Sequence, residues 1–195
     1  LLIADPVTRT QFCPLGDAAA AAVLCSEDLV DKLATKKPVK VLGCVAQSGK
    51  YSDPQKLVCD PSENVTRTSK LAYEMAGLGP EDIDVAEIHD AFSIAEMLVY
   101  EALGFCEKGA GVRLIEEDRT SLGGDIVVNP SGGLLSRGHP VGATGLLQVA
   151  EIVWHLRGEA GARQVEGAKV GLIETMGGAQ PAMDGITCVV SILGV

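Results

Sequence analysis

The segment from about Gly142 to Arg157 constrains the fold of this chain most, because it reads as a helix that is apolar in nearly every direction. Leu146, Ile152 and Trp154 would fall on different sides of that helix. A helix that is apolar all round is buried. One half-sheet of this size cannot bury such a helix alone. We therefore expect it to be sandwiched between sheets, with help from a partner domain or subunit.

Strand-like and helix-like segments alternate along most of the remaining chain. The residue pattern favours strands over 17–24, 39–45, 83–88, 126–128, 169–173 and 186–193, and helices over 26–33, 64–76 and 90–103. Residues 46–63 are polar and contain one glycine and two prolines, which favours a loop. This alternation, together with the apolar helix, predicts a layered α/β fold.

Composition excludes several classes of protein. The 195 residues are 47% hydrophobic and 22% charged, which is enough to fill a core and too apolar for a disordered chain. Asp and Glu outnumber Lys and Arg by 26 to 16, and the net charge of −10 argues against nucleic acid as a partner. No segment reaches the roughly 20 apolar residues that a membrane-spanning helix needs.

The six cysteines are scattered, without a CxxC pair or the cysteine–histidine spacing of a zinc site. This pattern favours reduced thiols in the cytoplasm, with no disulfide framework and no bound metal. The chain begins with Leu1 rather than methionine, and its first residues lack the basic stretch of a signal peptide. We therefore expect the chain to start inside a longer gene product.

Two of the three histidines occupy positions that suit chemistry. His89 lies where a strand pattern meets the start of a helix, and His139 lies in a glycine-rich stretch just before the apolar helix. The positive end of that helix disfavours a charged imidazole, so His139 is expected to stay neutral and able to accept a proton. The alternatives are that His139 only caps the helix and that His89 is a polar residue at a strand end. His155, on the helix flank, is interpreted as structural.

Three ordered motifs carry a resemblance to a known family. Residues 138–145 read Gly-His-Pro-Val-Gly-Ala-Thr-Gly, preceded at 129–133 by Asn-Pro-Ser-Gly-Gly. Residues 89–92 read His-Asp-Ala-Phe, and residues 176–179 read Met-Gly-Gly-Ala. In order and spacing these motifs resemble the thiolase superfamily, in particular the acetyl-CoA acetyltransferase-like proteins of its sterol-carrier-protein-type and archaeal branch. The resemblance covers essentially this whole chain but only the C-terminal half of the family.

The resemblance implies a thiolase-like layered αβαβα fold, of which this chain would carry mainly the C-terminal half. Residues 1–36 resemble the end of the N-terminal thiolase domain, including a strand at 17–21. Residues 37–195 resemble the C-terminal thiolase domain.

The resemblance also implies an acyltransferase that acts on acyl-CoA thioesters, by Claisen condensation or thiolysis through an acyl-cysteine. His139 would match the histidine that activates the nucleophilic cysteine, and His89 with His139 would match the oxyanion hole for the thioester enolate. The backbone N–H of Gly177, beside Gly178, would match part of a second hole, and Asn129 would match a substrate-binding residue. The nucleophilic cysteine would belong to the N-terminal half, so this chain alone is expected to be inactive.

Two positions depart from the family pattern. The second cysteine of classical thiolases is Thr175 here, and the cysteine that sterol-carrier-type proteins carry within His-Asp-x-Phe is Ala91. The group that moves a proton during the Claisen step is therefore missing from both expected places. Either another group or water serves, or the protein performs only part of the chemistry, such as acyl binding, thioester cleavage or retro-aldol cleavage. The alternative function is an impaired thiolase-fold module that binds acyl-CoA or scaffolds a partner. Related steroid-cleaving aldolases carry tyrosines where this chain has His89 and His139, which disfavours aldol cleavage.

The expected ligands and partners follow from the same resemblance. Acyl-CoA would be the substrate, in lipid metabolism, and no tightly bound cofactor is expected. The chain would need its N-terminal half and would form a homo-oligomer such as a dimer. Archaeal relatives associate with a small OB-fold/zinc-ribbon protein, which implies a further partner of that kind.

Overall fold

The computed structural model describes residues 2–51, 62–178 and 182–195. Most of the loop predicted at 46–63, and Ala179 of the motif at 176–179, lie outside these residues. The strands are β1 Leu2–Ala4, β2 Val7–Thr8, β3 Lys40–Ser48, β4 Val85–Glu87, β5 Val127–Val128, β6 Val170–Gly177 and β7 Thr187–Gly194. The helices are α1 Glu27–Leu33, α2 Ser62–Ala76, α3 Ser93–Leu103, α4 Gly111–Glu116, α5 Gly133–Arg137 and α6 Thr144–Arg157. Within the described ranges, no helix is long and apolar enough to cross a membrane.

Five of these strands form one mixed sheet in the order β3–β7–β6–β4–β5. β4 runs parallel to both β5 and β6, whereas β7 is antiparallel to β3 and to β6. The carboxyl ends of β4, β5 and β6 therefore meet at one edge of the sheet. In an open α/β sheet this is the edge where sites are usually built.

Helices cover both faces of the sheet. On one face α2 packs on β3, β7 and α3, and Val65, Tyr100 and Leu172 belong to the larger core cluster. On the other face α6 packs on β4 and β6, where Ile152 belongs to a smaller cluster. Gly171 of β6 permits this close approach, because a Cβ there would collide with the Ile152 side chain. The three layers confirm the predicted α/β class.

Only one face of α6 is covered by the described residues, contrary to the expected burial all round. Gln148 and Ile152 are fully buried, whereas Leu146 and Trp154 keep 41% and 42% of their surface exposed. The reason is that the strands contacting α6 (β4, β6 and β7) all belong to one sheet and cover one side of the helix. That a partner covers the other side stays a prediction.

The strand predicted over 17–24 does not form. Residues 13–26 contain no helix or strand, and Leu15 and Val23 are 94% and 97% exposed. A strand of small apolar residues is stable when neighbours cover its edges and faces, and no described strand pairs with this segment. The other predicted strands and helices are present, with small shifts at their ends.

Candidate active site

His89 lies two residues beyond the end of β4, in the loop that leads into α3. The backbone N–H of His89 donates to Oε2 of Glu174 on β6, at 2.9 Å. The N–H of Ile88 donates to Oδ1 of Asn129, which follows β5, at 2.8 Å. Side chains from both neighbouring strands therefore hold the His89 loop at the carboxyl edge of the sheet.

His139 lies in the glycine-rich stretch between α5 and α6, and its backbone N–H donates to the carbonyl of Pro14 at 2.9 Å. Its Nδ1 is 2.8 Å from Oγ1 of Thr144, the first residue of α6. The Thr144 hydroxyl also donates to the carbonyl of Pro140, at 3.1 Å. Since that hydroxyl has a single proton, Nδ1 of His139 must carry its own hydrogen. The pattern assigns the tautomer in which Nε2 is free to accept a proton.

The two imidazoles lie against each other. Their ring centroids are 4.8 Å apart and the rings are nearly perpendicular, at 89°. Burial, and then the nearby His139, lower the pKa of His89 to about 4. Burial, and then the guanidinium of Arg137, lower the pKa of His139. Both rings are therefore neutral at pH 7, the state that the sequence predicted for His139, with burial rather than a helix end as the main cause.

Asn129 lies next to the His89 loop, and one atom of its side-chain amide is already hydrogen-bonded. Its backbone has a φ of 50°, and its Oδ1 accepts from the N–H of Ile88. Its Nδ2 is enclosed and has no hydrogen-bond partner among the described residues. Asn129 therefore holds the His89 loop with one atom, and its role as a substrate contact through the other stays a prediction.

Gly177 and Gly178 lie at the same edge of the sheet. Gly177 is the last residue of β6, and Gly178 follows with a φ of 74°. Glu87 of β4 pairs with Ile173 of the parallel β6, so His89 is level with residue 175 in this register. Gly177 therefore lies two residues further along β6 than the level of His89. This position agrees with a site at the strand ends, and the role of the Gly177 N–H as an oxyanion donor stays a prediction.

Three buried carboxyl groups bind the backbone of the segments around His89 and His139, and the sequence did not predict this role for them. Glu87 accepts from the N–H and hydroxyl of Ser131, at 3.1 and 2.8 Å. Asp90 accepts from the N–H of Leu134 at 2.7 Å, and Glu174 accepts from the His89 loop. Burial raises the pKa of Glu87 and of Glu174 to about 7 and that of Asp90 to about 6. Acidic residues inside otherwise apolar strands were the signal that could have revealed the two glutamates.

The carboxyl of Glu174 predicts how stability depends on pH. Its pKa is about 7 in the folded protein, against about 4.3 for an exposed glutamate. Between these values the folded state holds a proton that the unfolded state has lost, so the free energy of unfolding falls as pH rises through this window. Glu174→Gln lacks this pH dependence. From pH 4.5 to pH 8, the difference in free energy of unfolding between the variant and wild type is therefore expected to shift in favour of the variant by up to about 3 kcal/mol, measured by urea unfolding.

The control for this comparison is Glu166→Gln, because Glu166 is exposed. The stability of Glu166→Gln relative to wild type is expected to be the same at every pH. If the Glu174→Gln difference is equally flat from pH 4.5 to 8, the carboxyl of Glu174 does not hold its proton in the folded state.

Neither Ala91 nor Thr175 supplies a thiol, and the hydroxyl of Thr175 is already hydrogen-bonded. It donates to Oε1 of Gln148 on α6, at 2.7 Å, while Nε2 of Gln148 donates to the carbonyl of Glu174. The carbonyl of Ala91 accepts from the backbone N–H of Cys13, a residue that the sequence analysis did not single out. In the part of the chain that the structure describes, no group of three or more His, Cys, Asp or Glu residues could hold a metal ion.

Comparisons with known proteins give matches to thiolases and related proteins. The thiolase C-terminal domain-like family matches residues 46–191. An acetyl-CoA acetyltransferase of Methanothermobacter thermautotrophicus is 46% identical over 177 residues, which are 91% of this chain and 46% of that protein. The benzoylsuccinyl-CoA thiolase subunit BbsB of Thauera aromatica is 44% identical over 85% of this chain and 43% of its own length. Sterol carrier protein 2 of Bos taurus is 46% identical over 90% of this chain and 33% of its own length.

The chain spans between a third and a half of the length of these relatives. Among solved structures, the Ltp2-ChsH2(DUF35) aldolase superposes with a TM-score of 0.80 over 100% of this chain and 49% of that chain, at 22% identity. At that identity the likeness concerns the fold alone.

Proposed function

The chain belongs to the thiolase family, and we propose that it forms half of the active site of an acyltransferase that acts on acyl-CoA thioesters. The reaction is Claisen condensation or thiolysis through an acyl-cysteine that forms on the N-terminal half. Residues 37–195 act as the C-terminal domain, and residues 1–36 act as the end of the N-terminal domain. The printed names of two relatives, an acetyl-CoA acetyltransferase and a benzoylsuccinyl-CoA thiolase subunit, support this chemistry.

The perpendicular pair of neutral imidazoles carries the proposal. A thioester enolate bears negative charge on oxygen, and fixed hydrogen-bond donors stabilise it best. Nδ1 of His89 is enclosed without a partner among the described residues. The ring proton of His89 belongs on Nε2, because an enclosed N–H without an acceptor costs more free energy than an enclosed ring nitrogen without a donor. Nε2 of His139 accepts the proton of the nucleophilic cysteine and, once protonated, donates to the same enolate oxygen as His89.

Two further contacts complete the site in this proposal. The N–H of Gly177, beside Gly178, donates to the tetrahedral intermediate that forms at the acyl-cysteine. The Nδ2 of Asn129, which lacks a partner among the described residues, contacts the substrate. No tightly bound cofactor takes part, because the two imidazoles and the thioester supply the chemistry.

Uncovered apolar side chains support the need for a second half. Leu15 and Val23 are 94% and 97% exposed, and Val141, two residues beyond His139, is 75% exposed. Together with the open side of α6, they favour a covering protein surface. We assign the N-terminal half to this surface, with a second copy of the assembled protein beside it. A small OB-fold/zinc-ribbon protein is a further partner that the family resemblance suggests.

A second candidate is a thiolase-fold module that binds acyl-CoA or scaffolds a partner without catalysis. The observation in its favour is that positions 91 and 175 both lack a thiol, while the hydroxyl of Thr175 is held by Gln148. Such a module would keep the fold and the substrate site but would not carry a substrate through the Claisen step.

Acyl transfer is tested in the assembled protein, in which this chain is co-expressed with the N-terminal half that we propose precedes it. Incubation with acetyl-CoA is expected to place one acetyl group on a cysteine of the N-terminal half, detected by intact-mass spectrometry and removed by free coenzyme A. The present chain alone stays unmodified. Acetyl-CoA that binds without acetylating the assembled protein would favour the non-catalytic module instead.

A further inference from the structure

Residues 12–14 run between the two histidine loops and contact both of them. The N–H of Cys13 donates to the carbonyl of Ala91 at 3.0 Å, and the carbonyl of Pro14 accepts from the N–H of His139 at 2.9 Å. The ring of Phe12 packs edge-on against Phe92, with centroids 5.0 Å apart. The backbone of Cys13 is therefore fixed next to the candidate active site from both sides.

The pairing of this segment places Cys13 directly opposite Ala91. Phe12 and Phe92 form an isolated antiparallel bridge, so the next pair along the two chains is Cys13 with Ala91. Residues that are directly opposite each other in an antiparallel pair share a face, with Cβ atoms about 5 Å apart. Cys13 and Ala91 therefore share a face of this strand pair, and the small side chain of Ala91 adds little bulk on it.

The surroundings of Cys13 suit a proton donor better than a nucleophile. The side chain is half-buried. Burial, and then the carboxylate of Asp90, raise the pKa of its thiol. Cys13 therefore stays protonated at neutral pH. Two positions lack the expected cysteine. The side chain of Ala91 has no exchangeable proton, and the hydroxyl of Thr175 donates its hydrogen bond to Gln148.

We propose that Cys13 is the catalytic residue that carries the proton to and from the carbon next to the thioester. This assignment rests on the proposed acyltransferase function. In it, a thiol from across the strand pair replaces the one that is absent at Ala91.

The proton balance of thiolysis follows from this assignment. The nucleophilic cysteine gives its proton to His139 and adds to C3 of a 3-oxoacyl-CoA, and the C2–C3 bond breaks with its electron pair going to C2. The thiol of Cys13 donates its proton to C2, which releases acetyl-CoA and leaves a Cys13 thiolate, while the shortened acyl group stays on the nucleophilic cysteine. That thiolate regains a proton from water, and coenzyme A attacks the acyl-cysteine as its thiolate, having given its own proton to water, and leaves as the shortened acyl-CoA. The departing cysteine recovers its proton from His139.

The test separates the proton step from acyl transfer in the assembled protein. Cys13→Ala is expected to form the acetyl-enzyme at close to the wild-type rate. It should lose at least a hundredfold in thiolysis of acetoacetyl-CoA and in exchange of the C2 hydrogens of acetyl-CoA in D2O, followed by mass spectrometry. The double variant Cys13→Ala/Ala91→Cys is expected to regain at least a tenth of both activities. The matched control Cys106→Ala, a half-buried thiol in another loop, keeps wild-type rates.

Wild-type exchange in Cys13→Ala would overturn the assignment, and so would equal losses of acetyl-enzyme formation and exchange. Failure of Ala91→Cys to restore exchange in the Cys13→Ala background would also overturn it, because the proposal has thiols at these two opposite positions serve the same carbon. If the assembled wild-type protein forms no acetyl-enzyme at all, the proposed function itself fails and this assignment falls with it.

Discussion

Replacing His139 with alanine is expected to slow acyl transfer in the assembled protein by about a thousandfold. In the proposed function the ring supplies a base at Nε2, because Thr144 occupies Nδ1, and then a donor to the oxyanion beside His89. Both roles end with the loss of the imidazole, while the backbone N–H of residue 139 still reaches the Pro14 carbonyl. The measurement is the single-turnover rate of acetylation by acetyl-CoA, followed by intact-mass spectrometry.

A matched control lies on the same helix as Thr144. His155→Gln removes the fully buried imidazole near the far end of α6, where His155 Nδ1 accepts from the N–H of Val165. This variant is expected to lower stability and to leave the acetylation rate per folded molecule unchanged. Acetylation of His139→Ala at more than a tenth of the wild-type rate would remove His139 from the catalytic step.

The fold was predictable wherever the signal is local. The apolar stripes and strand patterns that produce β3, β6, β7 and α6 lie within short windows, and these elements form close to where the sequence predicts them. Residues 17–24 show the limit of this reasoning. Their small apolar side chains favour a strand, but a strand exists only when another one pairs with it, and pairing depends on distant parts of the molecule.

The site was predictable to the extent that it is built from motif residues. His89 and His139 are singled out by the residues around them, and the structure brings their rings together. The groups that hold those loops were not predictable, because each acts from a distant point of the chain. Glu174 is 85 residues from the His89 N–H that it accepts. Cys13 meets Ala91 only because residues 12–14 fold across both loops.

Alanine at Gly133 is expected to destabilise the protein by about 3 kcal/mol or more. Gly133 has a φ of 61°, and a Cβ there would collide with Oδ2 of Asp90. The Asp90 carboxyl has little freedom to move, because it is buried and accepts from the N–H of Leu134 at 2.7 Å. The measurement is urea unfolding of the Gly133→Ala variant. Gly142→Ala is the control, because a Cβ there meets nothing within 4 Å, and its change should stay within about 0.5 kcal/mol.

The source of the Gly133→Ala cost can be separated by a second variant. Positive φ alone costs an alanine about 1 to 2 kcal/mol, so any larger loss comes from the displaced carboxyl. Asp90→Ala removes the atoms that the new methyl group would meet, and the double variant is therefore expected to be more stable than the sum of the two single changes. If the two changes simply add, the collision is not what requires glycine at position 133. If they couple, the collision with the Asp90 carboxyl, which accepts from the N–H groups of Leu134 and Leu135 at the start of α5, is what requires glycine at position 133.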